Sequence, residues 1–255
     1  GGSMYHFFVE PDQIGEKEIR IEGSDVNHIK NVLRMEPGEK ITVSSGEDGK
    51  EYFCRIRELL EDQILAEILE IKEASSELPS KIALFQGLPK SDKMELIIQK
   101  AVELGAYEIV PMATRRAVVK LDQKKAENKC KRWNAISESA AKQSKRTVIP
   151  NVAGVLSFHE AVDYAVKTYD LCVIPYELAK GMEQTRKLLF GVRPGESVAV
   201  LIGPEGGFEE SEIAYAQEKG IIPITLGHRI LRTETAGLAV LSALMLHLDY
   251  SNPLK

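Results

Sequence analysis

The pattern of apolar and polar positions changes in character near residue 75. Before that point, short alternating segments predict strands, and Pro37-Gly38 and residues 46–49 supply turns between them. The predicted strands cover residues 5–9, 18–22, 41–44, 51–59 and 64–71. One helix, capped by Ser24, is predicted to place four apolar residues on one face: Val26, Ile29, Val32 and Leu33. The pattern favours a small antiparallel barrel interrupted by a helix.

Beyond residue 80, apolar runs alternate with helical patterns. The runs predict strands over residues 81–87, 108–111, 171–174, 198–202 and 222–226. Five helices are expected around these strands. The first carries an apolar face from Met94 to Val102 and ends near Gly105, the second crosses the basic region to about Ser144, and the third begins at a Ser157/Glu160 capping box. The last two cover residues 209–219 and 235–250. This alternation predicts a parallel sheet with helices on both faces.

A polar, turn-rich segment over residues 72–80 separates the two patterns. We therefore predict two domains, a barrel over residues 4–74 and an α/β domain over residues 75–255.

The apolar run that ends at Ile202 opens into Gly203-Pro204-Glu205-Gly206-Gly207. Glycines at such a turn let backbone, rather than side chains, meet a ligand. The turn lacks the glycine and lysine spacing of phosphate-binding loops, and the Glu205 carboxylate would repel a phosphate. A ligand with hydroxyls, an amino group or a positive charge suits it better, and a nucleoside bearing a sulfonium, S-adenosylmethionine, meets that requirement.

A second short segment, Leu231 to Ala236, lies just before the terminal helix. Thr233 or Thr235 can cap that helix, and Arg232 lies beside the free backbone N–H groups of its first turn. The two segments are expected to converge on one ligand at the carboxyl edge of the sheet. A purely structural alternative remains open, in which Glu205 and Glu234 pair with Arg232 or cap helices.

Composition narrows the class of protein. The 255 residues are 44% hydrophobic, which is typical of globular chains, and no apolar run approaches the length of about eighteen residues that a membrane span requires. Gly1-Gly2-Ser3 is expected to be foreign to a native chain beginning at Met4, with no secretion leader. We expect a cytoplasmic protein with no membrane partner. Its three cysteines and five histidines are scattered without metal-ligand spacing, so no metal site is expected.

Charge is distributed unevenly. Between Thr114 and Thr147, eleven Lys or Arg side chains stand against three Asp or Glu, whereas the whole chain carries −5. A local basic stripe of this kind can attract a polyanion although the net charge is negative. A solvated helix face is the alternative interpretation.

Taken together, these motifs resemble the RsmE family, the ribosomal RNA uridine-N3 methyltransferases of the SPOUT superfamily. The glycine turn and Leu231-Arg232-Thr233-Glu234-Thr235-Ala236 resemble the family's carboxyl-terminal signature. His28 with Val32-Leu33-Arg34 is similar to its motif in a PUA-like barrel, and Lys93-Met94-Glu95 with Gln99-Lys100 and Glu103-Leu104-Gly105 is similar to the first helix of its methyltransferase domain.

The resemblance implies a SPOUT domain with a trefoil knot, preceded by a PUA-like barrel, in a homodimer that binds S-adenosylmethionine in the knot. It implies ten candidate cofactor-binding residues: Leu201, Ile202, Gly203, Glu205, Gly206, Leu226, Gly227, Ile230, Leu231 and Thr235. It also favours six residues as contacts with 16S ribosomal RNA or the small ribosomal subunit: Arg34, Lys93, Arg115, Arg116, Gln143 and Arg146.

The implied reaction methylates N3 of a uridine, which must first lose its proton. Arg232 is the candidate for stabilising the resulting anion, and Glu234 or Glu205 for accepting the proton or orienting Arg232. Two alternatives remain: a ribose 2′-O methyltransferase of the same superfamily and a noncatalytic RNA-binding protein. The former group usually carries an Asn and an Arg near the first helix, where this chain has Glu95 and Glu103.

Overall fold

The computed structural model describes residues 4–73, 76–177 and 181–251. The chain forms two compact units. The first comprises the residues up to Glu77 together with residues 141–149, and the second comprises residues 78–140 and those from Pro150 onward. The predicted boundary between residues 74 and 75 lies outside the described residues and stays a prediction.

The first unit is a curled five-stranded sheet in the order β1-β3-β4-β5-β2. Its strands are β1 (Tyr5–Phe8), β2 (Glu18–Glu22), β3 (Lys40–Ser44), β4 (Lys50–Leu59) and β5 (Gln63–Glu73). Two register shifts between β4 and β5 bend the sheet around a core that includes Ile19, Ile41 and Ile64. The prediction of a wholly antiparallel sheet is wrong at one edge, because β1 pairs with β3 in parallel.

The helix predicted to begin after Ser24 differs from the prediction. Gly23, with φ of 72°, occupies the position before α1 (Ser24–Asn27), so Ser24 is the first helical residue and not the cap. The chain continues as a π-helical turn over His28–Val32. The wider turn moves Val32 off the apolar face, and 61% of its surface is exposed, whereas Val26 and Ile29 are buried.

The second unit is an α/β fold on a parallel sheet, with β9 beside β7 and the other strands in the order β12-β10-β11-β6-β7-β8. The strands are β6 (Ile82–Gly87), β7 (Glu108–Ala113), β8 (Asn151–Val152), β9 (Leu156–Ser157), β10 (Leu171–Pro175), β11 (Val198–Ile202) and β12 (Ile222–Ile224). The five predicted strands are confirmed, and two-residue strands such as β8 and β9 are too short to produce a hydrophobic pattern.

The sheet is accompanied by α2 (Lys93–Glu103), α3 (Gln123–Gln143), α4 (Phe158–Thr168), α5 (Met182–Leu189), α6 (Glu210–Glu218) and α7 (Thr233–Ser251). The Ser157/Glu160 capping box is confirmed. α5 was not predicted; it is only eight residues long and buries only Thr185 and Leu189. α7 begins two residues earlier than predicted. None of the described helices is both long and apolar enough to cross a membrane.

Arg146, in the 141–149 segment of the first unit, is buried. Its side chain is 4% exposed, and its guanidinium forms an ion pair with the Glu77 carboxylate at 2.5 Å and a second hydrogen bond at 3.2 Å. This geometry does not fit the expected RNA contact, because a buried, paired guanidinium has almost no surface to offer a phosphate. Arg146 instead attaches the segment after α3 to the residues near the end of β5.

We expect Arg146→Ala to lower the free energy of unfolding by about 2–4 kcal/mol, because it leaves the Glu77 carboxylate without its partner. Denaturant titration of the variant, with the exposed Lys145→Ala as the control, measures this effect. Unchanged stability combined with weakened RNA binding would instead support the phosphate contact.

Candidate active site

Two loops enclose a cavity of about 690 Å³ in the second unit. The first is the glycine turn, residues 203–207, which follows β11. The second is the 225–232 loop, which follows β12. Both loops leave the carboxyl ends of parallel strands, β11 and β12, which lie on either side of β10, and this edge is where α/β sheets bind ligands. The turn after β10 adds Pro175, Tyr176 and Glu177 to the lining.

The glycine turn is tight enough to exclude side chains. A Cβ atom on Gly203 would lie 3.1 Å from the Gly207 carbonyl carbon, and one on Gly206 would lie 3.1 Å from the Arg116 Cβ. The Gly207 N–H closes the turn by donating to the Pro204 carbonyl oxygen at 2.8 Å, and its φ of 70° suits glycine. The cavity wall is therefore backbone at this point, as the sequence predicted.

A buried hydrogen-bond chain joins this turn to the terminal helix. The Thr233 hydroxyl donates to the Gly203 carbonyl oxygen at 2.6 Å, and the Gln86 side-chain amide donates to the Thr233 hydroxyl at 2.8 Å. Gln86 is completely buried at the end of β6. The chain fixes the start of α7 against the end of β11, and so sets the width of the cavity.

Charged side chains form a second network at the rim. The Glu205 carboxylate accepts the Lys90 backbone N–H at 2.7 Å and lies 3.5 Å from the Lys93 ammonium. The same ammonium lies 3.6 Å from Glu234. Burial raises the pKa of Glu205, but hydrogen bonds from the backbone N–H groups of Lys90 and Glu205 and the charge of Lys93 outweigh it, so the pKa lies below its ordinary value.

Arg232 differs from these groups. Its backbone carbonyl accepts the N–H groups of Thr235 and Ala236 and so begins α7, while its side chain is exposed and lines the cavity. Among the described residues, none forms a salt bridge or hydrogen bond with its guanidinium. The structural alternative, in which the acidic residues pair with Arg232, therefore does not describe this arrangement. Lys93 pairs with both carboxylates instead.

The structure brings most of the predicted cofactor residues together. The cavity is lined by eight of them: Ile202, Gly203, Glu205, Gly206, Leu226, Gly227, Ile230 and Leu231. Leu201 is fully buried within β11, and Thr235 lies exposed on α7 outside the lining. Of the catalytic candidates, Arg232 and Glu205 line the cavity. Glu234 is outside the lining and forms an ion pair with Lys93.

The RNA candidates are more dispersed. Lys93 and Arg116 line the cavity, and Arg116 donates to the Gly206 carbonyl oxygen at 3.1 Å. Arg115 is exposed and pairs with Glu209 at 3.3 Å. Arg34 and Gln143 are exposed in the first unit.

Sequence reasoning missed several lining or supporting residues. Gln86 could have been noticed as the one polar side chain in an otherwise apolar strand, and Thr233 was considered only as a cap. Other lining residues carry no recognisable pattern, among them Tyr176, Thr225, His228 and Arg229.

The chain matches two family profiles along most of its length. Residues 76–245 match the RNA methyltransferase domain, and residues 21–69 match the RNA methyltransferase PUA domain. The ribosomal RNA small subunit methyltransferase E of Bacillus subtilis is 39% identical over 94% of this chain and 96% of its own length. The chain belongs to the ribosomal RNA small subunit methyltransferase E family.

Solved structures of family members agree with this assignment. The methyltransferase E of Neisseria gonorrhoeae, bound to S-adenosylmethionine, is 33% identical with a TM-score of 0.79 over 96% of this chain and 98% of its own. A Legionella pneumophila methyltransferase with bound S-adenosylmethionine is 31% identical, with the same TM-score and the same coverage. The similarity in fold therefore extends over nearly the whole chain, and the resemblance to the RsmE family is confirmed.

Gly87 offers a test of how the cavity is shaped. It ends β6, where an added Cβ would lie 2.6 Å from the Pro204 Cδ and 2.7 Å from the Pro204 nitrogen. We expect Gly87→Ala to displace the glycine turn and weaken the binding of S-adenosylmethionine by about tenfold or more, because overpacking of about 1–3 kcal/mol falls on the turn. Calorimetry measures the binding constant.

Gly154→Ala is the matched control for Gly87→Ala, because its Cβ meets nothing within 4 Å. An unchanged dissociation constant in a folded Gly87→Ala protein would contradict the assigned role of the turn.

Proposed function

We propose that this chain is a methyltransferase that transfers a methyl group from S-adenosylmethionine to N3 of a uridine in 16S ribosomal RNA. One observation supports this most strongly: an exposed Arg232, which has no ion-pair partner among the described residues, borders a glycine-walled cavity in a chain of the methyltransferase E family. Uridine N3 is the specificity that the RsmE resemblance implies.

The residues of the cavity fit this cofactor. Gly203 and Gly206 present backbone to the cavity, because a Cβ at either position would crowd Gly207 or Arg116. Ile202, Leu226 and Leu231 offer apolar surface to an adenine ring. Glu205 is an ionised acceptor suited to hydroxyl or ammonium groups. S-adenosylmethionine, when bound, supplies a methyl group activated by an adjacent sulfonium.

Arg232 supplies the positive charge that the nucleotide requires. Removal of the N3 proton spreads negative charge onto the two uracil carbonyl oxygens, and a guanidinium can donate two parallel hydrogen bonds while it remains charged. Its position at the start of α7 adds the positive end of the helix dipole. A charge that is already in place needs no reorganisation during the reaction.

Neither acidic candidate is well placed to accept the proton. Glu205 already accepts a backbone hydrogen bond and has a lowered pKa, which makes it a weaker base. Glu234 is outside the cavity lining, and its Oε2 atom is buried beside Lys93. We therefore assign these carboxylates to the support of the site, and the departure of the proton to solvent water in the open cavity.

Exposed basic residues support RNA binding. Arg115 remains 67% exposed despite its partner Glu209, and a surface pair of this kind is weak enough to exchange for a phosphate. Arg34, Gln143 and Arg116 complete the set that we propose for RNA contact. Such contacts would make the affinity depend on salt.

The trefoil knot and the homodimer are also proposed on the resemblance to the family. The exposure of Ile230, at 96%, and of Leu246 on α7, at 68%, is consistent with an interface between copies. Because ribosomal RNA is the proposed substrate, we place the enzyme in the cytoplasm.

Mass mapping of methylated nucleosides in ribosomal RNA tests the proposed function. Cells lacking the protein should lose one 3-methyluridine from 16S RNA, and the purified protein should restore it. Loss of a ribose-methylated nucleoside would favour the 2′-O alternative. Absence of S-adenosylmethionine binding by the folded protein, measured by calorimetry, would favour the noncatalytic alternative.

We expect Arg232→Ala to lower kcat by about 100-fold or more, because one preorganised charge at a developing anion is removed. Its melting temperature and its affinity for S-adenosylmethionine should stay close to the wild-type values. Arg186→Ala, an exposed position on α5, is the control for loss of a surface guanidinium. Wild-type turnover by Arg232→Ala would contradict the role assigned to this residue.

A further inference from the structure

The Lys93 side chain occupies an unusual position at the cavity rim. Its ammonium lies between two carboxylates, 3.5 Å from Glu205 Oε1 and 3.6 Å from Glu234 Oε2. The three side chains are 28%, 25% and 21% exposed, so water screens their charges only in part. One cation at the start of α2 thus neutralises acidic groups from the glycine turn and from α7.

Arg232 is a second cation at this rim, beside the arginines Arg116 and Arg229 that also line the cavity. Glu234 follows it by two residues at the start of α7, and Glu205 lines the same cavity. The Arg232 guanidinium is nevertheless unpaired within the described part of the chain. Glu205 and Glu234 therefore both pair with Lys93, although Arg232 is a cation of the same rim.

The Glu234 carboxylate shows how uneven that sharing is. Its Oε2 atom is buried and accepts no hydrogen bond from the described residues, because 3.6 Å from the Lys93 ammonium is too long for a hydrogen bond. A buried, unsatisfied carboxylate oxygen gains free energy from any donor that reaches it. If the Lys93 charge were absent, the flexible guanidinium of Arg232 would be the nearest cationic donor to Glu234 in sequence.

We infer that Lys93 is a positioning residue that holds Glu205 and Glu234 away from Arg232 and so keeps the Arg232 guanidinium free for the uracil. The inference rests on the proposed function for its catalytic consequence. It replaces the RNA contact expected of Lys93, because an ammonium held between two carboxylates is poorly available to a phosphate.

A double-mutant cycle tests this inference. Lys93→Met removes the charge and should lower kcat by about 10–100-fold, since a self-paired Arg232 no longer stabilises the anion. Adding Glu234→Gln should raise kcat again, because the competing carboxylate is gone. Glu234 is chosen over Glu205 because Glu205 lines the cofactor cavity. Lys93→Arg, which keeps the charge, should retain more activity than Lys93→Met.

Lys100→Met is the matched control, since Lys100 lies on the same helix and pairs with Glu103 away from the cavity. It should leave kcat unchanged. If Lys93 contacted RNA phosphates instead, Lys93→Met would raise the KM for RNA and flatten its salt dependence, and Glu234→Gln would restore nothing. That result, or wild-type kcat in Lys93→Met, would overturn the inference.

A second readout does not depend on activity. Phenylglyoxal modifies unpaired guanidinium groups, and peptide mass spectrometry gives the rate at Arg232, with the exposed Arg186 as an internal reference. The Arg232 rate should fall by about threefold or more in Lys93→Met, as an ion pair shields the group, and recover when Glu234→Gln is added. An unchanged modification rate at Arg232 in Lys93→Met would contradict the role of Lys93 but not the proposed function. If the wild-type enzyme failed to methylate uridine N3, the proposed function would be contradicted, but the role of Lys93 in keeping Arg232 unpaired would not.

Discussion

The candidate site depends on one buried hydrogen-bond chain, from the Gln86 amide through the Thr233 hydroxyl to the Gly203 carbonyl. These three residues belong to β6, α7 and the turn after β11, which are distant in sequence. Because each link is short and shielded from water, the start of α7 has one position relative to the glycine turn. That position puts Arg232 at the rim of the cavity, and the 225–232 loop closes its other side.

A second constraint is electrostatic. The cavity is lined by the Glu205 carboxylate, which suits a cationic cofactor, and by the Arg232 guanidinium, which suits an anionic base, and a second carboxylate, Glu234, follows Arg232 by two residues. Opposite charges so close would neutralise each other unless something kept them apart. Lys93 keeps the carboxylates from Arg232 through its contacts with Glu205 and Glu234. The backbone N–H of Lys90, in the loop before α2, donates a further hydrogen bond to Glu205.

The sequence predicted much of the fold because its signals were local. The long apolar strands β6, β10 and β11 and the Ser157/Glu160 capping box produce patterns that can be read directly from neighbouring residues. The errors have physical causes. A π-helical turn moved Val32 out of the apolar face, and the two-residue strands β8 and β9 are stabilised by pairing with β7 rather than by any pattern of their own.

Within the site, the glycine turn was predictable because its composition permits few alternatives. The charge pairing was not, because it depends on which residues from separate elements meet. Lys93 was expected to contact RNA and Arg146 likewise, yet both pair with carboxylates that lie far away in sequence. Family resemblance supplied the chemistry of the reaction, and only the three-dimensional arrangement could assign the charges.

The central claim is that the cavity between the glycine turn and the 225–232 loop binds the methyl donor beside Arg232. An electron-density map of this protein crystallised with S-adenosylmethionine tests it most directly. The account predicts density for the adenosine against the backbone of Gly203 and Gly206, with the Arg232 guanidinium free of Glu205 and Glu234. Density at another place, or a cavity filled by side chains in crystals that contain the ligand, would contradict it.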